Sequence, residues 1–188
     1  MSDSSRDAAA PQRRFETLVM PHLDAAYNLA RWLTRSDADA DDVVQEASLK
    51  AFRFLDQCRA EDARGWFLAI TRNAAYSWLR NKRPQELVIS GGEEGEPAEL
   101  AADPATPESL ALDGEATRRL EEAIGGLPVP FREVVILREQ EELSYREIAE
   151  LTGVPIGTVM SRLARGRALL ARALGRPLPS PQRGRQDA

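Results

Sequence analysis

The 188-residue sequence contains one cysteine, one histidine and no run of apolar residues that approaches the length of a membrane span. Because Cys58 has no second cysteine to pair with, an intramolecular disulfide and a zinc site made of cysteines are excluded. A lone histidine, His22, removes Ser-His-Asp and Cys-His catalysis and most transition-metal sites. Residues 1–14 are polar and lack the apolar core of a signal peptide. We therefore expect a cytoplasmic protein without membrane insertion.

Aromatic residues are scarce at 6%, whereas apolar residues at 43% and charged residues at 29% match a soluble globular protein. So few aromatics favour small helical units over one thick core. No segment alternates apolar and polar residues for long enough to predict a strand, and apolar residues recur at helical spacing instead. The predicted fold class is therefore all-α.

Positive and negative charges are sorted along the chain, which the net charge of −5 conceals. Residues 36–46 carry only acidic charges, and residues 64–83 carry only basic ones. Residues 84–115 contain nine acidic residues and no basic one, whereas residues 155–185 contain seven arginines and no acid. Two basic blocks separated by an acidic one favour two nucleic-acid contacts joined by a repelling linker.

Apolar spacing predicts three helices in a first small domain over residues 15–83, near 23–33, 39–55 and 63–81. Residues 84–115 are rich in proline, glycine and acid and have no aromatic residue, so they are predicted to form a flexible acidic linker. A second small helical domain is predicted over residues 116–174. The ends of the chain, residues 1–14 and 175–188, are expected to be disordered tails.

The second domain carries the pattern of a helix-turn-helix. Ser144 and Glu147 have the spacing of a capping box at the start of a helix, and Gly153 is placed to end that helix. Pro155 suits the first turn of the next helix, whose apolar stripe leaves a polar face opposite. The residues of that face that we expect to enter the major groove of DNA are Thr158, Ser161, Arg162 and Arg165.

The third helix of the first domain has a basic stripe with an aromatic residue inside it. Arginines follow a phosphate backbone, and aromatic faces stack on unpaired bases, so the stripe suits single-stranded or melted DNA better than a duplex groove. The candidate contacts are Arg64, Trp66, Arg72, Asn73, Tyr76 and Arg80.

The second helix has a mostly acidic stripe that includes Asp42, Gln45, Glu46 and the apolar Leu49. An acidic stripe repels DNA, and an exposed leucine within it suggests a protein partner. From the periodicity alone, a plain solvated face is the favoured interpretation.

Several segments match motifs of one protein family. Residues 42–46 have the form D-x-x-Q-E, and residues 64–73 resemble R-x-W-L…I-x-R-N. Residues 127–134 resemble L-P-x-x-x-R-x-V, and residues 143–163 resemble L-S-Y-x-E-I-A…G-T-V-x-S-R-L, although lysine or arginine is common where Met160 stands. In this order and in so short a chain, these motifs resemble the extracytoplasmic-function (ECF) group of the bacterial sigma-70 family.

The resemblance implies a transcription initiation factor with two domains that works by binding, without a catalytic residue, a metal or a cofactor. It implies that Asp42, Gln45 and Glu46, with Leu49 and Phe52 at the edge, dock on the β′ clamp helices of core RNA polymerase. This replaces the solvated-face interpretation. It further implies that the third helix captures melted bases of the −10 promoter element. The second domain would read the −35 element and meet the polymerase β flap. An anti-sigma factor is an expected partner, and the protein would lie at the nucleoid when bound to polymerase.

Three alternatives remain open at this point. A stand-alone helix-turn-helix regulator would bind duplex DNA without polymerase and would not need the acidic stripe. A sigma mimic that sequesters an anti-sigma factor usually carries a receiver domain, for which this chain has no room. A metal-dependent nuclease using Asp41 and Asp42 is disfavoured because neighbouring positions on a helix do not face the same site.

Overall fold

The computed structural model describes residues 4–88 and 112–175, and every regular element within those ranges is a helix. The first range contains α1 (Ser4–Leu18), α2 (Leu23–Thr34), α3 (Asp37–Arg53), α4 (Ala63–Lys82) and α5 (Gln85–Val88). The second contains α6 (Leu112–Gly125), α7 (Val129–Glu139), α8 (Tyr145–Thr152) and α9 (Ile156–Ala173). The all-α prediction is confirmed. In the same ranges, no helix combines the length and apolar character that crossing a membrane requires.

Helices α2, α3 and α4 pack on one another and form the first domain. Their buried faces are rich in alanine, including Ala30, Ala47 and Ala74, so the helix backbones approach closely. Arg35 ends α2 in the left-handed conformation, and the side chain of Ser36 caps α3 by accepting a hydrogen bond from the backbone N–H of Asp39. These local signals place α3 in its predicted position.

Helix α1 corrects one prediction. Residues 1–14 were expected to be a disordered tail, but Ser4–Leu18 is helical. The last turn of α1 is anchored to the first domain. The Phe15 ring meets Phe52 edge to face, with centroids 5.5 Å apart, and Nη2 of Arg14 donates to the carbonyl oxygen of Cys58 at 2.9 Å. These are tertiary contacts, so no pattern within residues 1–14 could indicate them.

The second domain is built around α7, which packs against α8 and α9. Its capping box is complete, because Ser144 and Glu147 each accept from the other's backbone N–H, and Gly153 ends α8 with a φ of 71°. Gly166 lets α9 approach α7 closely, since a Cβ at that position would lie 2.8 Å from Cγ2 of Val135. The helix-turn-helix geometry predicted from the sequence is present.

The two domains are in contact. α2 packs against α7, α4 packs against α8, and the buried side chains of both domains form one continuous cluster. The predicted linker over 84–115 is shorter at both ends, because α5 and the start of α6 fall within it. The rest of that linker, residues 89–111, and the predicted tail from residue 176 onward lie outside the described residues.

Candidate nucleic-acid and protein interfaces

One candidate interface lies on the outer face of α3, and we call it the α3 surface. Its five residues are Asp42, Gln45, Glu46, Leu49 and Phe52, and all are exposed. Leu49 is 65% exposed and Phe52 is 49% exposed, so the apolar end of the surface has no cover, apart from the edge contact between Phe52 and Phe15. Glu46 forms an ion pair with Lys50 on the same helix. Helical spacing has thus brought the five predicted residues together.

A second candidate interface lies at the start of α9, and we call it the recognition face. Val159, Leu163 and Gly166 are buried beneath it. On the other side Ser161 and Arg165 are exposed, whereas Thr158 and Arg162 are half-buried. Met160 is 52% exposed. Among the described residues no carboxylate forms an ion pair with Arg162 or Arg165, so both guanidinium groups are available to an anionic ligand.

The predicted strand-binding residues of α4 divide into two sets. Asn73 and Arg80 are exposed, and Arg80 donates to Oγ of Ser77 at 3.0 Å. Trp66 is half-buried and packs against the core. The remaining three residues, Arg64, Arg72 and Tyr76, contact the second domain through carboxylates.

The central carboxylate belongs to Glu133 on α7, which is fully buried. Arg72 donates to it from Nε at 2.5 Å and from Nη2 at 3.3 Å, and the Tyr76 hydroxyl donates to Oε2 at 3.0 Å. The guanidinium of Arg72 also lies over the Tyr76 ring, 4.3 Å from its centroid. Two predicted DNA contacts and one acid therefore form a closed cluster, which we call the Glu133 cluster.

The cluster changes the acid–base properties of its members. Burial and the charge of Glu133 both raise the pKa of Tyr76, so the hydroxyl stays protonated and remains a donor. For Arg72, burial alone would lower the pKa, but the charge and hydrogen bonds of Glu133 outweigh it and raise the pKa. The arginine is therefore charged, and its charge is neutralised by the second domain.

Further polar contacts bridge the domains beside the Glu133 cluster. Nη2 of Arg64 lies 2.8 Å from Oε2 of Glu141, and the Trp32 indole donates to Oε1 of Gln140 at 2.9 Å. Arg64 is still partly exposed, whereas the Glu141 side chain is almost completely buried. This edge of the interface is weaker than the Glu133 cluster because water can reach the guanidinium.

Arg132, next to Glu133, connects helix ends. Its Nη1 donates to the carbonyl oxygens of Trp32 and Leu33 at 3.0 and 3.4 Å, and its Nη2 donates to those of Gly125 and Leu127 at 2.9 and 2.8 Å. The carbonyls of Trp32, Leu33 and Gly125 lie at the C-terminal ends of α2 and α6, where intrahelical partners are missing, and that of Leu127 lies in the connection between α6 and α7. Burial lowers the pKa of Arg132 to about 10, despite the nearby charge of Glu86. The residue remains charged at neutral pH.

Sequence reasoning missed Arg132, Glu133 and Glu141 as functional candidates. The sequence did contain a signal for Arg132 and Glu133, because these two charged residues interrupt the apolar segment that forms α7. In the structure both are buried with that segment. Charged residues are seldom buried unless they are paired. The pattern thus indicates a buried ion pair, but it cannot identify a partner 61 residues away.

Comparison with known proteins agrees with this geometry. The sigma-70 region 2 family matches residues 18–85, and the sigma-70 region 4 family matches residues 117–170. The first match covers α2 to α4 with the α3 surface, and the second covers α7 to α9 with the recognition face. The two matches therefore coincide with the two domains.

Individual relatives are similar over most of this chain. An ECF RNA polymerase sigma factor, SigE of Mycolicibacterium smegmatis, is 35% identical over 89% of the chain, which spans 64% of the relative. The ECF sigma-E factors of Haemophilus influenzae and Escherichia coli K12 are 35% and 34% identical, with 77% and 84% of each relative spanned.

Two solved structures share the fold. The sigma factor RpoE of Bartonella quintana, in complex with the anti-sigma factor NepR, matches with a TM-score of 0.64 and 28% identity over 86% of this chain. CnrH, in complex with the cytosolic domain of CnrY, matches with a TM-score of 0.62 and 26% identity over 91%. The matches cover 96% and 94% of those chains.

The two family matches define a transcription initiation factor rather than an enzyme. The chain belongs to the ECF group of the sigma-70 family of RNA polymerase sigma factors.

Proposed function

We propose that this protein binds core RNA polymerase, directs it to specific promoters and stabilises the melted DNA at the start site. The observation that carries the proposal is the presence, on one short chain, of two surfaces. One is the exposed acidic and apolar surface on α3, and the other is the recognition face on α9, where Arg162 and Arg165 have no carboxylate partner among residues 4–88 and 112–175. The first suits a protein partner and the second suits DNA. A factor that brings an enzyme to a DNA sequence needs both.

The α3 surface is the proposed docking site for the β′ clamp helices. Asp42 and Glu46 supply carboxylates, Gln45 supplies an amide, and Leu49 with Phe52 supplies apolar area that water leaves on binding. An apolar centre beside charged groups is typical of a specific protein interface. The second domain is the proposed contact for the β flap.

DNA recognition is divided between the domains. Thr158, Ser161, Arg162 and Arg165 on α9 are the proposed contacts to the −35 duplex, where arginine can form paired hydrogen bonds to guanine. The proposed contacts to melted −10 bases and their phosphates lie on α4, and they are Arg64, Trp66, Arg72, Asn73, Tyr76 and Arg80. Stacking on an aromatic ring contributes about 1–3 kcal/mol per base, which offsets part of the cost of unstacking.

Control by an anti-sigma factor is part of the proposal. The two similar structures are complexes, one with the anti-sigma factor NepR and the other with the cytosolic domain of CnrY. Because the matches cover 96% and 94% of those two chains, we extend to this chain a partner of the same kind. In the active state the protein would accompany polymerase to the nucleoid.

In vitro transcription with core polymerase on a promoter library tests the function. Core enzyme with the chain should start at selected promoters, and core enzyme alone should not. Asp42→Lys with Glu46→Lys should abolish this selectivity because it reverses the charge of the α3 surface. Asp24→Lys is the matched control, since Asp24 is an exposed acid on another helix, α2.

The same variants separate the proposal from a stand-alone helix-turn-helix regulator. A regulator would bind its duplex site tightly without polymerase, and reversing Asp42 and Glu46 would not affect it. Start-site selectivity that survives the double reversal, or that never appears with core polymerase, would contradict the proposal.

A further inference from the structure

We propose that Ile156 and Met160 read the 5-methyl groups of pyrimidine bases in the major groove, so that this chain selects −35 elements with thymine at the positions they face. The inference rests on the proposed function, because it assumes that α9 binds duplex DNA. It extends that function from the polar candidates of α9 to two apolar residues and to one chemical group of the base.

Ile156 and Met160 are large apolar side chains that the fold leaves uncovered. Ile156 is 46% exposed and Met160 is 52% exposed. They lie four residues apart near the start of α9, so they are neighbours on one side of the helix. Val159 and Leu163 of the same helix are buried and supply its contacts to the core. The exposed residues, which we call the apolar pair, are therefore free to contact a ligand.

The exposed side of α9 has two edges of different chemistry. At about 3.6 residues per turn, the apolar pair lies along one edge, and Arg162 and Arg165 lie along the other. The middle carries small residues, which are Gly157, Ser161 and Ala164, and all three are exposed. A helix with so low a middle can lie deep in the major groove, which is about 12 Å wide and admits an α-helix. Both edges then reach base pairs.

Gly157 supports a close approach of α9 to its ligand. A Cβ at this position would have nothing within 4 Å, so packing within the described chain does not require a glycine there. Glycine inside a helix is also less favourable than alanine. The missing side chain costs helix stability and leaves room for another molecule at the middle of the exposed side.

The occupant that fits both edges is duplex DNA. The thymine methyl is an apolar group on the floor of the major groove, whereas the other features of the base edges are hydrogen-bond donors and acceptors that an apolar side chain cannot pair with. Contact between the methyl group and the apolar pair removes apolar area from water on both sides. An apolar groove on a protein would cover the pair but would leave Arg162 and Arg165 without an anion, and neither has a carboxylate partner among residues 4–88 and 112–175.

Replacing thymine by uracil in the −35 element tests the proposal without changing the protein. Uracil lacks the 5-methyl group and keeps every hydrogen-bonding atom of thymine. Promoters are first selected from a library by core polymerase with the full chain, and the −35 segment of a selected promoter is then synthesised in both forms. Each methyl group that the apolar pair contacts should contribute about fourfold to affinity, so two contacts give about fifteenfold. Competition binding at one fixed salt concentration measures the loss.

Ile156→Ala with Met160→Ala should remove the sensitivity to uracil. The double variant should bind the thymine and uracil promoters equally, with about the affinity that the wild-type chain has for uracil DNA. Leu120→Ala is the matched control, because Leu120 is an exposed apolar residue on α6, and its loss should leave the uracil penalty unchanged. Met160→Leu keeps an apolar side chain at the same position and should retain most of the penalty.

5-Methylcytosine provides a measurement in the opposite direction. Where cytosine replaces a thymine that the apolar pair contacts, methylation of that cytosine at C5 returns the methyl group to the same place in the groove. The wild-type complex should regain about fourfold in affinity on methylation, and the double alanine variant should regain nothing.

Equal affinity of the wild-type complex for thymine and uracil promoters would overturn the proposal. So would selected −35 elements that contain no thymine on either strand, or a uracil penalty that the folded double variant retains. If the double variant instead fails to bind core polymerase while the two DNA forms remain equivalent, the apolar pair contacts a protein and the proposal is wrong. In each case, promoter-selective transcription by the wild-type chain would leave the proposed function standing. Without that selectivity, the proposed function itself fails.

Discussion

Helices α4 and α9 both carry arginines that indicate nucleic-acid binding, but the fold treats the two helices differently. On α9, Arg162 and Arg165 have no carboxylate partner among the described residues. On α4, Arg64 and Arg72 are paired with buried acids of the other domain. Arginines at helical spacing are thus free to bind a ligand on α9, whereas on α4 two of them are already paired with carboxylates. A basic stripe indicates which kind of ligand is bound, and tertiary packing decides whether the stripe is free.

The largest expected effect comes from Arg132→Met. The substitution leaves the carbonyl oxygens of Trp32, Leu33, Gly125 and Leu127 without their donor. Losing charged hydrogen bonds of this kind should lower the free energy of unfolding by about 3 kcal/mol. Urea denaturation measures the loss. Arg138→Met is the control, since Arg138 donates to one carbonyl, that of Leu143, and should cost about 1 kcal/mol. Equal losses for the two variants would show that Arg132 does not join the helix ends.

A smaller loss of stability is expected at the contact where α9 packs against α7. Gly166→Ala places a methyl group 2.8 Å from Cγ2 of Val135 and 3.4 Å from the carbonyl oxygen of Phe131. Overpacking should cost about 1–3 kcal/mol, partly offset by the better helix propensity of alanine. Gly157→Ala, with nothing within 4 Å, is the control on the same helix and should be neutral or slightly stabilising. Thermal unfolding that ranks the two variants in the opposite order would contradict this account of the α7–α9 contact.

The capping box should contribute less, and its effect should depend on pH. Ser144→Ala removes a cap and should cost about 1 kcal/mol. Hydrogen bonds from Ser144 lower the pKa of Glu147, so the stability it supplies is present above the ordinary glutamate pKa and is lost as the pH falls through the folded-state value. Glu147→Gln should remove this acid-sensitive part. Chemical denaturation at neutral and acidic pH tests it, and parallel pH profiles for wild type and variant would refute it.

The smallest expected effect concerns the recognition face. Met160→Arg places a positive charge at an exposed position of the recognition face and adds one proposed phosphate contact. The dependence of log affinity on log salt for a −35 duplex should become steeper by about 0.9. Leu120→Arg adds the same charge at an exposed site on α6 and should leave the slope nearly unchanged. An unchanged slope for Met160→Arg would place this position away from the DNA backbone.

Most of the local structure could be predicted from particular residues. Ser144, Glu147 and Gly153 delimit α8 through capping chemistry, and the observed helix begins and ends where they indicate. The spacing of Asp42, Gln45 and Glu46 also predicted one shared face, and the structure has one. Capping and helical periodicity act within a few residues, so the sequence contains all of the information they need.

Long-range features could not be predicted in the same way. The disordered tail expected over residues 1–14 is partly a helix, because Phe15 and Arg14 find partners near residues 52–58. The role of Glu133 was missed because its donors lie on a helix of the other domain. Such contacts depend on which two surfaces meet, and nothing in a local pattern specifies that.

By itself, the sequence determined the helices, their caps, the helix-turn-helix and the separation of acidic from basic segments, because each follows from forces between near neighbours. Only the tertiary structure decided that the basic face of α4 meets the second domain while the recognition face of α9 stays open to solvent. Periodicity defines the faces of a helix, but the burial of apolar area and the pairing of charges between distant segments choose which face is covered.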